Sequence, residues 1–138
     1  MPDSMVQRAL VLLPFDPAGF EMLDRVIKPA AAAAGLQAIH LDRSVWHQNL
    51  QHSLERAVRD CTLAVAYLPD RNPNVIFELG VVTALGRSVV VMAEDCCDIP
   101  DFLASREFLI GPFARETLTR ALAKTVRTAP QEKLTCTT

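Results

Sequence analysis

Three short, almost uninterrupted apolar runs, separated by longer segments with helical spacing, constrain this chain most strongly. The runs are ALVLL at 9–13, TLAVAYL at 62–68 and SVVVMA at 88–93. Their length and composition are typical of strands that are covered on both faces of a sheet. Weaker candidates at 36–41 and 108–110 supply a second and a fifth strand.

Segments with apolar residues at three- and four-residue spacing lie between these strands and predict helices. Strands that alternate with helices imply right-handed crossovers and a parallel sheet. The sequence therefore predicts a single α/β domain over residues 1–128, a three-layer α/β/α sandwich with a four- to five-stranded parallel sheet. A flexible C-terminal tail is expected at 129–138.

Local signals predict where several helices begin. Asp16 before Pro17 and Asn72 before Pro73 each pair an N-cap residue with a proline that suits the first helical position. Pro29 is expected to kink or break the first helix, which should resume across the alanines at 30–34.

Charge and composition exclude several classes of protein. The net charge is −2, and the Lys and Arg residues are scattered along the chain without forming a run. Nucleic-acid-binding proteins usually have a basic face, so we expect no nucleic-acid partner. The apolar runs are too short to span a bilayer and no signal-peptide pattern is present, so we expect no membrane partner and a cytoplasmic location. The cysteines and histidines lack the spacing of a metal site, and no Walker or GxGxxG loop occurs, so we expect neither a metal nor a cofactor.

Parallel sheets of this kind bind ligands beyond the carboxyl ends of their strands. This rule selects residues 14–19, 42–46, 69–78 and 94–98 as the candidate site. Every one of these segments contains carboxylates, namely Asp16, Asp42, Asp70, Glu78, Glu94 and Asp95.

Glu78 is the strongest candidate for chemistry. With Asn72 as N-cap, Glu78 falls in the second turn of its helix, where the positive end of the helix dipole favours an ionised carboxylate. Such a carboxylate can act as a nucleophile, or stabilise an oxocarbenium-like centre, when an N-glycosidic bond breaks. The alternative is a helix-stabilising residue exposed to water, but the apolar neighbours Phe77 and Leu79 favour a specific orientation.

Three segments together resemble the nucleoside 2-deoxyribosyltransferase-like superfamily, especially its TIR-like nucleotide-binding branch. They are VLLPF at 11–15, IKPAAAAAGL at 27–36 and NPNVIFELGVVTALGRSVVVM at 72–92, within a similarity that covers residues 8–112. The resemblance implies a flavodoxin-like or TIR-like version of the sandwich. It also implies that Glu78 attacks the anomeric carbon and that Asp70 helps to protonate the leaving base.

The resemblance further implies that Asn72 and Asn74 position ribose or phosphate and that the loop at 14–16 lines the pocket. Trp46 is a candidate for stacking on a purine or nicotinamide ring, with a packing anchor as the alternative. The expected substrate-binding residues are therefore Pro14, Phe15, Asp16, Asp42, Trp46, Asn72 and Asn74.

The resulting expectation is a protein that binds a nucleoside, nucleotide or NAD and cleaves or transfers its N-glycosidic bond. The alternative is a non-catalytic nucleotide-sensing or protein-assembly module. That alternative is indicated by Tyr67, which stands where many members of the TIR-like branch carry an aspartate. Both readings include a homo-oligomer.

Overall fold

The computed structural model describes residues 6–41, 50–103 and 107–128. The five strands are β1 (Gln7–Leu12), β2 (Leu36–Ile39), β3 (Leu63–Tyr67), β4 (Ser88–Ala93) and β5 (Glu107–Ile110). The α-helices are α1 (Pro17–Met22), α2 (Lys28–Ala33), α3 (Leu50–Asp60), α4 (Pro73–Ala84) and α5 (Arg115–Thr128). A π turn at Leu23–Ile27 joins α1 to α2, and 3₁₀ turns lie at Pro69–Arg71, Cys96–Asp98 and Asp101–Leu103.

The strands form one sheet in the order β2-β1-β3-β4-β5, and all four pairings are parallel. This is the flavodoxin-like order, in which the direction of chain progression reverses between β1 and β3. The predicted fold class, a parallel-sheet α/β sandwich, is confirmed.

Two apolar layers cover the two faces of the sheet. Because side chains alternate along a strand, Val65 and Tyr67 of β3 pack with residues of α2 and α5, whereas Ala64 and Ala66 pack with α3 and α4. Every residue of β3 is buried. The apolar run at 62–68 thus forms a strand that is covered on both faces of the sheet, as its composition predicted.

The first helical segment differs in detail from the prediction for Pro29. The N-cap at Asp16 is confirmed, and helical backbone continues through Ala33 without a break. The distortion takes the form of a π turn just before the proline, closed by a hydrogen bond from the Lys28 N–H to the Leu23 carbonyl. Since proline has no N–H to donate, a wider turn accommodates it without ending the helix.

The segment between β2 and β3 contains α3, as its helical spacing predicted, and Asn72 caps α4 as predicted. Asp42, Trp46 and the tail at 129–138 lie outside the described residues. Among the residues that are described, no helix is long and apolar enough to cross a bilayer.

Candidate functional site

The loop after β1 is a tight strand-to-helix turn. The Asp16 carboxylate accepts a hydrogen bond from the Gly19 N–H at 2.8 Å, which caps α1. A Cβ on Gly19 would lie only 2.1 Å from the Pro14 carbonyl oxygen. Pro14 is therefore buried beneath the first turn of α1, and the close approach requires glycine at position 19.

Three aromatic rings gather beside this loop. The Phe15 ring centroid lies 5.5 Å from that of Phe20 and 5.4 Å from that of His40, and Phe20 and His40 are 6.2 Å apart. Phe20 is 39% exposed. The cluster joins the ends of β1 and β2 and offers an aromatic surface on which a planar ring could stack.

The loop after β3 has an unusual backbone. Asp70 and Arg71 both adopt left-handed conformations, with φ of 52° and 55°, which non-glycine residues seldom do. The Arg71 guanidinium donates two hydrogen bonds, at 3.2 and 2.5 Å, to the carbonyl of Cys97 in the loop after β4. Consecutive left-handed residues of this kind often lie at functional sites.

The two asparagines that follow have different surroundings. The Asn72 side-chain oxygen accepts hydrogen bonds from the N–H groups of Asn74, at 3.0 Å, and Val75, at 3.2 Å. Its capping role is thus established, and only its amide N–H groups are left to donate to a ligand. The Asn74 side chain is exposed at the start of α4.

Tyr67 and Glu94 meet at the ends of β3 and β4. The buried Tyr67 hydroxyl donates to the Glu94 carboxylate at 3.4 Å, and its ring packs edge-on against Phe113 with centroids 6.0 Å apart. Burial raises the pKa of Tyr67, and the carboxylates of Glu94, Asp16 and Asp70 raise it further. Three loops therefore place carboxylates within electrostatic reach of one phenol, which stays protonated and able to donate.

Glu78 lies on the sheet-facing side of α4. It is 8% exposed and forms one buried stripe with Val75, Leu79 and Val82. The water-exposed alternative is therefore wrong, and the carboxylate has a hydrogen bond, ion pair or other electrostatic interaction. Counted from Asn72, Glu78 lies about 9 Å along the helix axis from the carboxyl edge.

The structure thus groups the predicted residues unevenly. Asp16 and Asp70 lie within electrostatic reach of Tyr67, whose ring packs in the layer that also holds α2 and α5. The neighbours of Glu78 in α4 pack in the opposite layer. Phe20 and His40 were not predicted as site residues, and Glu94 was noted only as a carboxylate of its loop. Glu94 and His40 directly follow β4 and β2, which was the available signal, whereas Phe20 lies within α1.

A possible cation site lies in the loop after β4. One donor atom each from Asp95, Cys96 and Cys97 lie within 4.8 Å of one another, and all three residues are exposed. The Asp95 carboxylate already accepts the Cys97 N–H at 2.9 Å and raises the pKa of the Cys97 thiol. A metal ion would have to displace a thiol proton that this carboxylate retains.

The comparisons with known proteins bear on the fold alone. No family model and no curated protein matches the chain. A solved structure described as a pilus assembly-related protein of Burkholderia pseudomallei is 14% identical, with a TM-score of 0.60 over 95% of this chain and 96% of that one. The TIR domains of the activated Roq1 resistosome, which directly recognizes the pathogen effector XopQ, are 12% identical, with a TM-score of 0.45 over 88% and 84% of the two chains. At this identity, the first match shows a shared chain fold.

Proposed function

We propose that the chain binds a nucleoside, nucleotide or NAD where β1 and β3 diverge, and that Glu78 cleaves or transfers the N-glycosidic bond. The observation that carries the proposal is the burial of the Glu78 carboxylate. Among the described residues, Glu78 is the one charged side chain that is buried. Removing a carboxylate from water costs free energy even when the carboxylate is paired, so a functional reason for retaining it is favoured.

The surroundings of Tyr67 support a ligand rich in hydroxyl groups. The carboxylates of Asp16, Asp70 and Glu94 are acceptors, suited to the hydroxyls of a ribose. The rings of Phe15 and Phe20 offer a stacking surface for the base. Because three carboxylates repel a polyphosphate, nucleosides rank above nucleotides and NAD as substrates.

The proposed reaction has two steps. The Glu78 carboxylate forms a bond to the anomeric carbon while the bond from that carbon to the base nitrogen breaks, and Asp70 donates a proton to the leaving base. Water then attacks the glycosyl ester, Asp70 takes back a proton, and Glu78 is released. A second base in place of water gives transfer.

The test is release of free base from a panel of nucleosides and NAD, followed by HPLC. We expect Glu78→Gln to lower turnover by at least about 100-fold, the scale of losing an essential catalytic carboxylate. Glu107→Gln is the matched control, since Glu107 begins β5, away from the carboxyl ends of the strands, and forms a surface ion pair with Lys124. Equal turnover by wild type and Glu78→Gln would rule out the reaction.

A second candidate function, nucleoside sensing without turnover, is favoured by Tyr67 at the end of β3. A protonated phenol hydrogen-bonded to Glu94 can recognise a hydroxyl group but supplies no carboxylate for chemistry. Saturating ligand should then raise the unfolding free energy, by about 2.7 kcal/mol at 100 times the Kd, with no product formed. Absence of a thermal shift across the same panel would exclude sensing.

We also propose that the chain forms a homo-oligomer. Support comes from α4, where Phe77 is 55% exposed on the side away from the buried stripe. An aromatic side chain with this exposure is a frequent component of protein interfaces.

A further inference from the structure

A cavity lies away from the carboxyl-edge residues, between α3 and the edge strand β2. Its volume is 560 Å³, within the usual range of small-molecule sites. We call it the α3 groove. Its floor consists of Leu10, Ile39 and Leu41, and its α3 wall includes His52, Arg56 and Ala57.

The groove follows from the order of the strands. Among the described elements, α3 packs on β1 and against α4 rather than squarely on β2, which is the last strand of the sheet. On α3, Leu54 and Val58 point into the core. The neighbouring face, which carries His52, Arg56 and Asp60, is turned toward the groove.

The charged groups of the groove are unevenly balanced. Arg8 and Arg56 both line it, and across residues 6–41, 50–103 and 107–128 neither guanidinium makes a hydrogen bond or ion pair. Asp60 supplies one carboxylate against these two cations. The groove therefore presents excess positive charge in a chain whose net charge is negative.

The thiol of Cys61 lines the groove but is not suited to act as a nucleophile. Burial raises the pKa of Cys61 to about 11, and its Sγ donates to the Val58 carbonyl at 3.1 Å. A thiol of this kind remains protonated at neutral pH and is a poor nucleophile. The groove is suited to reversible binding.

We propose that the α3 groove binds a small amphipathic carboxylate. The aliphatic chain lies on Leu10, Ile39 and Leu41, and the carboxylate is bound by Arg8 and Arg56. Among residues 6–41, 50–103 and 107–128, the imidazole of His52 is the one aromatic ring that lines the groove, and the aliphatic floor suits an alkyl chain better than a stacking ring. Guanidinium groups are well suited to carboxylates because they form paired, charge-assisted hydrogen bonds.

Titration calorimetry with octanoate tests this proposal on the full chain. We expect saturable binding, weakened about 10-fold or more by Arg56→Gln or Arg8→Gln, since each removes a charge-assisted hydrogen bond. Arg59→Gln is the matched control, because Arg59 lies on an exposed part of α3 that does not line the groove. Acetate, which lacks the chain, and octylamine, which has the opposite charge, should each bind at least 10-fold more weakly.

A second variant keeps the test independent of core stability. Ser53 is exposed and lines the groove, so Ser53→Glu adds a negative charge without disturbing packing and should also weaken octanoate. The proposal is overturned if octanoate does not saturate at millimolar concentrations, if octylamine binds as tightly, or if Arg59→Gln has the same effect as Arg56→Gln.

Discussion

Two helical glycines should respond in opposite ways to alanine. Gly19, in α1, has the Pro14 carbonyl oxygen 2.1 Å from the place where a Cβ would be added. At Gly80, in α4, no atom of the described residues lies within 4 Å of that place, apart from its chain neighbours and its own helix backbone. Neither has a positive φ, so backbone conformation does not separate them. The comparison of Gly19→Ala with Gly80→Ala therefore isolates the close approach of α1 to the loop after β1.

The expected magnitudes follow from the distances. At Gly19 the new methyl is 0.9 Å inside the 3.0 Å limit for Cβ contacts, and the opposing atom is backbone that cannot rotate away. Overpacking of this kind costs about 3 kcal/mol, of which about 1 kcal/mol is offset by the helix propensity of alanine. Gly80→Ala keeps only the propensity gain of about 0.5–1 kcal/mol. The two variants should thus differ by roughly 3 kcal/mol in unfolding free energy.

Urea unfolding followed by circular dichroism measures this difference, which corresponds to melting temperatures about 10 °C apart. Gly19→Ala should also lower the affinity for a nucleoside bound at the carboxyl edge, because Asp16 moves with the displaced helix end. A Gly19→Ala protein as stable as wild type would refute the close packing of Pro14 beneath α1.

Three further predictions concern other parts of the molecule. Because the pKa of Cys61 is raised from 9.0 to about 11, its neutral thiol contributes stability that is present below pH 9 and lost as pH rises through 11. This contribution to the free energy of unfolding is roughly 2–3 kcal/mol. In urea unfolding, Cys61→Ala should therefore lose less unfolding free energy between pH 9 and 11 than wild type does. Arg71→Asn, which tolerates a left-handed backbone but removes the guanidinium, should cost about 1 kcal/mol and speed hydrogen exchange in the Cys96–Asp98 turn. Phe77→Ser should shift an oligomer toward monomer in light scattering, with stability changed by less than about 0.5 kcal/mol.

Each of these predictions has an outcome that contradicts it. Identical alkaline profiles for Cys61→Ala and wild type would show that the thiol does not titrate with folding. Unchanged exchange in Arg71→Asn would mean that the contact with Cys97 does not hold the turn. A Phe77→Ser protein with the mass of the wild-type oligomer would place the interface elsewhere.

The parts of the fold that depend on near neighbours were predictable from the sequence. The start of α4 is an example, because Asn72 and Pro73 act on the N–H groups of the next two or three residues. Strand β4 was predicted at 88–93 and is observed there. A short run of valines bounded by polar residues is typical of a buried strand. The effect of Pro29 on the helix was harder to predict, because the spacing of apolar residues does not show whether a helical turn is widened or broken.

The contact between Tyr67 and Glu94 was not predictable in the same way. These residues are 27 positions apart and meet because Tyr67 pairs with Met92 in the parallel register of β3 and β4. Glu94 is two residues beyond Met92, which places it on the same face. Register is set by packing of the whole sheet, so the pair was invisible to motif analysis.

The burial of Glu78 could not be decided from the sequence for a different reason. The residues around it are apolar on more than one side of α4, so periodicity did not identify the face that contacts the sheet. Packing in the structure selects the side of Val75, Leu79 and Val82. Glu78 is included because it lies three residues after Val75.

The π turn at Leu23–Ile27 sets the angular relation between the two halves of the first helical segment. Because a π turn takes more residues than an α-helical turn to complete one rotation, replacing it by α-helical turns with the same number of residues would rotate α1 by about 100° relative to α2. Phe20 would then swing away from Phe15 and His40, while α2 stayed anchored through Ala30 and Ala31. The width of one helical turn thus keeps the aromatic surface beside the first loop in place.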